Sequence, residues 1–254
     1  YAFRYVSSLE EVVLPEGLTK IDESAFESCG KLAEINLPST LTTVGPQAFA
    51  SCKQLGSLVL PDSVTGIGKY AFSGCEKLTS VTLSKNLASI PEGAFNFCPI
   101  TEIEIPASVT SIATKAFGYC RSLTEITFLG NAPTFGADAF KEVANATALY
   151  PRTGTGWAEA VKSTYGGTVT WKMYCPNGQH SFEEIVDEAH LVSKATCAQG
   201  AVYKKLCPCG EVSATETFIH GNANPNNHDM GQWYEYAAPT PEADGEERSD
   251  GSRC

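Results

Sequence analysis

The 254 residues carry 18 basic and 29 acidic side chains, a net charge of −11, with 43% hydrophobic content and three tryptophans. That is enough apolar material for one elongated domain or two compact ones, which excludes disorder throughout. No apolar run approaches the roughly 20 residues that cross a bilayer, and an acidic chain without a basic cluster excludes nucleic acid, whose phosphates need a Lys/Arg surface. Proteins or glycans remain as partners.

From Tyr1 onward the chain repeats itself. The pair Ala-Phe recurs at Phe3, Phe26, Phe49, Phe72, Phe95, Phe117 and Phe140, spaced 23, 23, 23, 23, 22 and 23 residues apart. Three residues later stand Cys29, Cys52, Cys75, Cys98 and Cys120, with Val6 and Val143 in their place at the two ends. An L-x-x-φ-x-φ-P segment follows in each unit, as in Leu32, Ile35, Leu37 and Pro38, and then a second apolar pair such as Leu41/Val44. The first segment predicts a short strand, because its inward residues alternate and Pro, lacking an N–H, ends the ladder. The second pair predicts another short extended piece, and the stretch into Ala-Phe a tight turn or a single helical turn. A fixed period of this length predicts a solenoid, one coil per repeat, whose coils bury their apolar faces only by stacking.

The 23-residue unit, worded LPxxLTxIGxxAFxxC, resembles the BspA-type leucine-rich repeat of bacterial and protist surface proteins. The match covers residues 1–140 in about six copies, the first one partial. The resemblance implies a leucine-rich repeat β-solenoid outside the cell, on a bacterial surface or secreted. It also implies adhesion or binding of a host or neighbouring cell's protein or glycan, without catalysis. Ser84 replaces the repeat proline, and the last unit departs as Phe128-Leu129-Gly130-Asn131-Ala132-Pro133.

Stacked one per coil, the five cysteines stand about 5 Å apart, but parallel side chains set the thiols alongside one another rather than facing, so they read as buried small hydrophobes. On the outward side of the first strand, Glu11, Glu34, Ser57, Ser80, Glu102 and Glu125 form one column; Asn36, Thr82, Glu104 and Thr127, with Val13 and Val59, form the next. This acidic, Ser/Thr-rich face suits a basic protein or a glycan. It contains none of the aromatic or Arg anchors that binding hot spots favour, which keeps open a second reading, a rigid spacer that displays another domain. The solenoid holds no histidine, and the adjacent acids Glu10/Glu11, Glu183/Glu184 and Asp187/Glu188 lack apolar surroundings, so no catalytic constellation is legible and no enzyme is expected.

After Phe140 the period stops. Residues 141–174 predict a strand–helix–strand cap: a strand at Ala148–Pro151, a helix over Trp157–Tyr165 with Trp157 and Val161 on its inner face, and a strand at Thr168–Tyr174. Gly154-Thr155-Gly156 imitates a nucleotide-binding turn, but Glu159 stands where the third glycine belongs and no βαβ unit follows, so it reads as a loop. Asn145-Ala146-Thr147 is an N-glycosylation triplet that a bacterial chain would leave unmodified.

Residues 175–254 change in composition, with 13 acids against 5 bases and all four histidines. Residues 175–227 read as a small irregular Cys/His module similar to those appended to bacterial surface proteins. Residues 228–254 look like the start of a second, truncated copy, as though the chain were cut at both ends. Four ligands from Cys175, His180, Cys197, Cys207, Cys209 and His220 suit a structural zinc ion. Disulfides, Cys197 with Cys207 or Cys209 among them, and free thiols remain open, and Cys-x-Cys is tighter than ordinary zinc-knuckle spacing.

Overall fold

The computed structural model describes residues 1–178, 180–195 and 199–222, with the short strands Trp233–Glu235 and Glu247–Ser249 as backbone. The chain forms two compact units, Tyr1–Asn177 and Gly178–Cys254.

The first unit is a parallel β-solenoid, and each repeat is one coil. Strands Ser57–Val59 and Ser80–Thr82 pair in parallel with Ser57 opposite Ser80. Further along, Glu102–Ile105, Glu125–Phe128, Ala146–Pro151 and Val169–Tyr174 form one four-stranded parallel sheet. The second apolar pair of each repeat makes a two-residue strand, such as Thr43–Val44 or Ser89–Ile90, and these too pair in parallel from coil to coil. Alternation along the first strand decides which side is wet. Ile103 and Ile105 are buried while Glu102 and Glu104 are exposed. In the first two coils the expected strand shrinks to a single bridge, Val13 to Asn36. Val12 and Leu14 of that coil are only partly buried, and Val13 is 83% exposed.

The Ala-Phe turns are the spine. Phe26, Phe49, Phe72, Phe95 and Phe117 are buried, and each ring stacks on the next at 5.2–6.0 Å through to Phe140. The Phe26 N–H donates to the Ala48 carbonyl of the next coil at 2.8 Å, and Phe49 and Phe72 repeat the bond to Ala71 and Ala94. These turns are not helical, because from Ala25-Phe26 on each Ala-Phe pair is flanked by left-handed residues: Gln47 (φ 54°) and Ser51 (φ 59°) in one coil, Tyr70 (φ 56°) and Gly74 (φ 73°) in the next. A left-handed residue on each side closes the corner and stops a helix from propagating. Coils approach so closely that a Cβ on Gly68 would lie 2.2 Å from the Pro46 nitrogen, so only glycine fits.

The cap corrects one expectation. Over Trp157–Tyr165 the only helical piece is a 3₁₀ turn, Glu159–Val161. The carbonyls that a longer helix needs are engaged by side chains: the Trp171 indole N–H donates to the Ser163 oxygen (2.9 Å) and the Tyr165 hydroxyl to the Val161 oxygen (2.5 Å). Gly156 (φ 83°) and Gly166 (φ 83°) bound the segment. Closure comes from aromatic packing instead. Trp157 meets the Phe128 ring edge-on at 5.0 Å, Trp171 lies 5.7 Å from the same ring, and the Trp157 N–H donates to the Gly130 carbonyl. The Gly154-Thr155-Gly156 loop docks on the coil before it, with the Thr155 N–H donating to the Asn131 side-chain oxygen at 2.9 Å.

The second unit contains a three-stranded antiparallel sheet, Leu191–Ser193, Ala201–Leu206 and Val212–His220, and is thus more regular than its composition suggests. Among its described residues Tyr203, Leu206, Cys207 and Phe218 are buried, with the Tyr203 and Phe218 rings stacked at 5.8 Å. The expected second copy over 228–254 lies mostly outside the described residues.

Candidate functional site

Three places in the chain carry chemistry: the outward face of the first strands, the cysteines inside the coils, and a cysteine–histidine cluster after residue 174.

On the strand face, Glu11, Glu34, Asn36, Ser57, Ser80, Thr82, Glu102, Glu104 and Glu125 are exposed and Thr127 is half-buried. Register places Glu102 directly opposite Glu125, and Glu104 opposite Thr127. Ser80, Thr82, Glu102, Glu104, Glu125 and Thr127 share a shallow depression of about 670 Å³, edged by Lys85 and Leu129. Glu11, Glu34 and Asn36 line a separate one of about 270 Å³. Opposed like charges on neighbouring strands repel. Among the described residues no ion pair compensates Glu102, Glu104 or Glu125; the Thr127 hydroxyl donates to Glu125 at 3.4 Å. Burial, and then the charge of Glu104, push the Tyr174 phenol above its ordinary range. Val13 and Val59 stand exposed in the same columns.

Inside the coils, Cys29, Cys52, Cys75, Cys98 and Cys120 are fully buried free thiols. Each donates to the carbonyl of the phenylalanine in the preceding coil, at 3.1–3.3 Å. Burial pushes the Cys52 thiol up to about 12 and raises Cys29 and Cys120 as well. A thiol held neutral at physiological pH is a poor nucleophile and a poor metal ligand.

In the second unit, Cys207 and Cys209 flank Pro208 on the turn between Ala201–Leu206 and Val212–His220. The Gly210 N–H closes the turn on the Cys207 carbonyl, and Gly210 supplies the left-handed conformation (φ 96°). Reciprocal backbone bonds between Glu183 and Leu206 carry His180 to the same place, with its Nδ1 3.3 Å from the Cys209 sulfur. Cys175, His180, Cys207 and Cys209 each offer a ligand atom, all within 4.8 Å of one another. Around a tetrahedral ion with Zn–S bonds of about 2.3 Å, neighbouring sulfurs lie ~3.8 Å apart, so the donor set fits such an ion. His220 is not among these residues. It ends the strand that Val212 begins, opposite Ala201, whereas the Cys-Pro-Cys turn lies at the Val212 end; eight residues of strand separate the two by roughly 25 Å. Cys197 lies outside the described residues.

The BspA-type leucine-rich repeat model matches residues 1–73 and 43–154 in six copies. The chain belongs to this family. No curated protein matches the sequence. Among solved structures, the chain is similar to a leucine-rich repeat protein from Bacteroides ovatus (21% identity, TM-score 0.45, covering 68% of this chain and 58% of that one). It is also similar to the T. pallidum leucine-rich repeat protein (31%, 0.39, 54% and 53%) and to a leucine-rich cell surface protein from Faecalibacterium prausnitzii (22%, 0.38, 63% and 59%). The chain thus spans a little over half the length of each.

Within this BspA-type solenoid, one set of exposed residues escaped the sequence reading. Two positions after each repeat phenylalanine the backbone is left-handed, at Tyr5, Ser28, Ser51, Gly74, Phe97, Tyr119 and Glu142. Phe97 there is 53% exposed, and its ring stacks on Tyr119 at 4.5 Å. Aligning the repeats by their Ala-Phe pair brings these aromatics into one column, and that is the signal by which they could have been found.

Proposed function

We propose that the chain is the non-catalytic binding part of a secreted or surface-displayed bacterial protein, and that the strand face around Glu102, Glu104 and Glu125 holds a basic extracellular protein. The observation that carries this reading is the set of three exposed carboxylates, without ion-pair partners among the described residues, around one depression on a parallel sheet. A field of one sign steers and orients a partner of the opposite sign. Membership of the BspA-type leucine-rich repeat family supports the reading, and among the described residues no helix is long and apolar enough to cross a membrane. A solid-phase titration against extracellular-matrix proteins, plasma proteins and mucin glycans tests it. Saturable binding at or below ~1 μM, about −8 kcal/mol, is expected, and Glu102→Lys with Glu125→Lys should weaken it. Flat curves throughout would transfer the weight to the rigid-spacer reading.

In the same reading Cys175, His180, Cys207 and Cys209 hold a structural zinc ion. Three thiolates and an imidazole are a donor set that zinc favours. Zinc analysis of the purified chain, expected to give one ion per chain, tests this part separately.

A further inference from the structure

We infer that the uncovered face of Phe97, beside the carboxylate of Glu76, binds an arginine side chain of a partner protein. The site lies on the Ala-Phe turns and does not rest on the strand-face reading.

The first observation is conformational. The position two residues after the repeat phenylalanine is left-handed in every coil, with φ between 58° and 73°. Glycine meets that demand freely, and bulky residues meet it poorly. Coils that hold Ser28, Ser51 or Gly74 there show that the fold asks for no ring. Phe97 nonetheless places an aromatic side chain there, more than half exposed. An exposed ring on strained backbone contributes little to the core and points to a surface use.

The second observation identifies the occupant. The column contains two other aromatics, and each already carries a guanidinium of this chain that also pairs with a carboxylate from a neighbouring coil. The Arg4 Cζ lies 4.6 Å from the Tyr5 ring centre, and its Nε is 2.9 Å from Glu27. The Arg121 Cζ lies 6.0 Å from the Tyr119 ring centre, and the side chain is 3.5 Å from Glu142. Phe97 has the ring and the carboxylate, but among the described residues no cation of this chain lies over its ring. Tyr119 covers one face at 4.5 Å with the rings 12° from parallel. In the coil before, the same position is Gly74, which has no side chain to cover the other face. Phe97, Gly74, Glu76, Ser51 and Tyr70 line a depression of about 570 Å³. Glu76 pairs with Lys53 at 2.8 Å, but both side chains are more than half exposed; such a pair is weak and exchanges readily.

Arginine suits the site better than lysine. Its planar group stacks on an aromatic face while its N–H fork reaches a carboxylate, and an ammonium does only one of these well. Arginine is also among the residues that dominate interface energetics.

The test is a chemical-shift titration of the full chain with acetyl-Gly-Gly-Arg-Gly-Gly-amide and its lysine counterpart. The arginine peptide is expected to bind at least threefold more tightly and to shift the Phe97 and Glu76 amides. Phe97→Ser, which installs the residue that two coils already hold there, and Glu76→Gln should each abolish the arginine preference. Glu102→Lys with Glu125→Lys should leave it intact, so failure of the strand-face reading is read separately. Equal affinities of the two peptides, an arginine preference that survives Phe97→Ser, or one lost in the strand-face variant would overturn the inference.

Discussion

The Cys52 thiol donates to the carbonyl oxygen of Phe26, one coil earlier, at 3.1 Å. The same bond joins Cys75 to Phe49 and Cys98 to Phe72, so the cysteine column is part of the hydrogen bonding between coils as well as of the core. An unpaired carbonyl at that depth is costly, and a thiol is the smallest apolar side chain able to donate to it.

Replacing Cys52 therefore costs stability in two ways. Cys52→Ala should destabilise the solenoid by about 1–3 kcal/mol in urea denaturation, with Cys52→Ser milder because a donor remains. A serine loss equal to or larger than the alanine loss would assign the column to packing alone.

The same thiols set the alkaline behaviour. Folded Cys52 titrates near 12 against an ordinary 9.0, and Cys29 and Cys120 are shifted in the same direction. Between pH 9 and 12 the unfolded chain loses thiol protons that the folded chain keeps, so stability is intact below pH 9 and falls as pH rises. Cys52 alone contributes a slope of about 1.4 kcal/mol per pH unit across that window. Denaturation midpoints at pH 8 to 11 should show the decline, shallower in Cys52→Ala. A flat profile to pH 11 contradicts the assignment.

The ring stack is open to solvent at its first coil and buried from Phe26 on. Phe72 is fully buried between two other rings, while Phe3 is 41% exposed at the first coil. Phe72→Ala should cost about 3–5 kcal/mol and Phe3→Ala far less, as calorimetry of the two variants would reveal. Equal losses would mean that stability is not distributed coil by coil.

Close coil contact predicts a steric defect. Gly68→Ala should cost about 2 kcal/mol or more, since its Cβ meets the Pro46 backbone. Wild-type melting behaviour in this variant would require the two coils to separate without cost.

Metal removal should act locally. A chelator is expected to release zinc and open residues 178–222 to protease while residues 1–177 stay resistant. His180→Ala should lower the bound zinc and His220→Ala should not. Retention of full zinc by His180→Ala would exclude the four-residue donor set.

The period of 23, the inward residues, the wet strand face and the buried cysteines were all legible in the chain, because each coil repeats one pattern and stacking turns sequence register into spatial columns. The helix over Trp157–Tyr165 was misread because periodicity ignores the indole and hydroxyl that take its carbonyls. Gly156 and Gly166, which bound it, also adopt left-handed conformations that composition does not report. His220 was grouped with the cysteines by residue type, whereas strand pairing puts it at the other end of the hairpin.

Sequence alone therefore determined the solenoid, its repeat count and its polarity of faces, since burial of a periodic apolar set admits one arrangement of coils. Only the tertiary structure decided which of the described Cys/His candidates meet, how the cap closes and that Phe97 stacks on Tyr119. Those depend on antiparallel register, on side-chain hydrogen bonds and on the residue present one coil away. Such relations link positions that no local pattern connects.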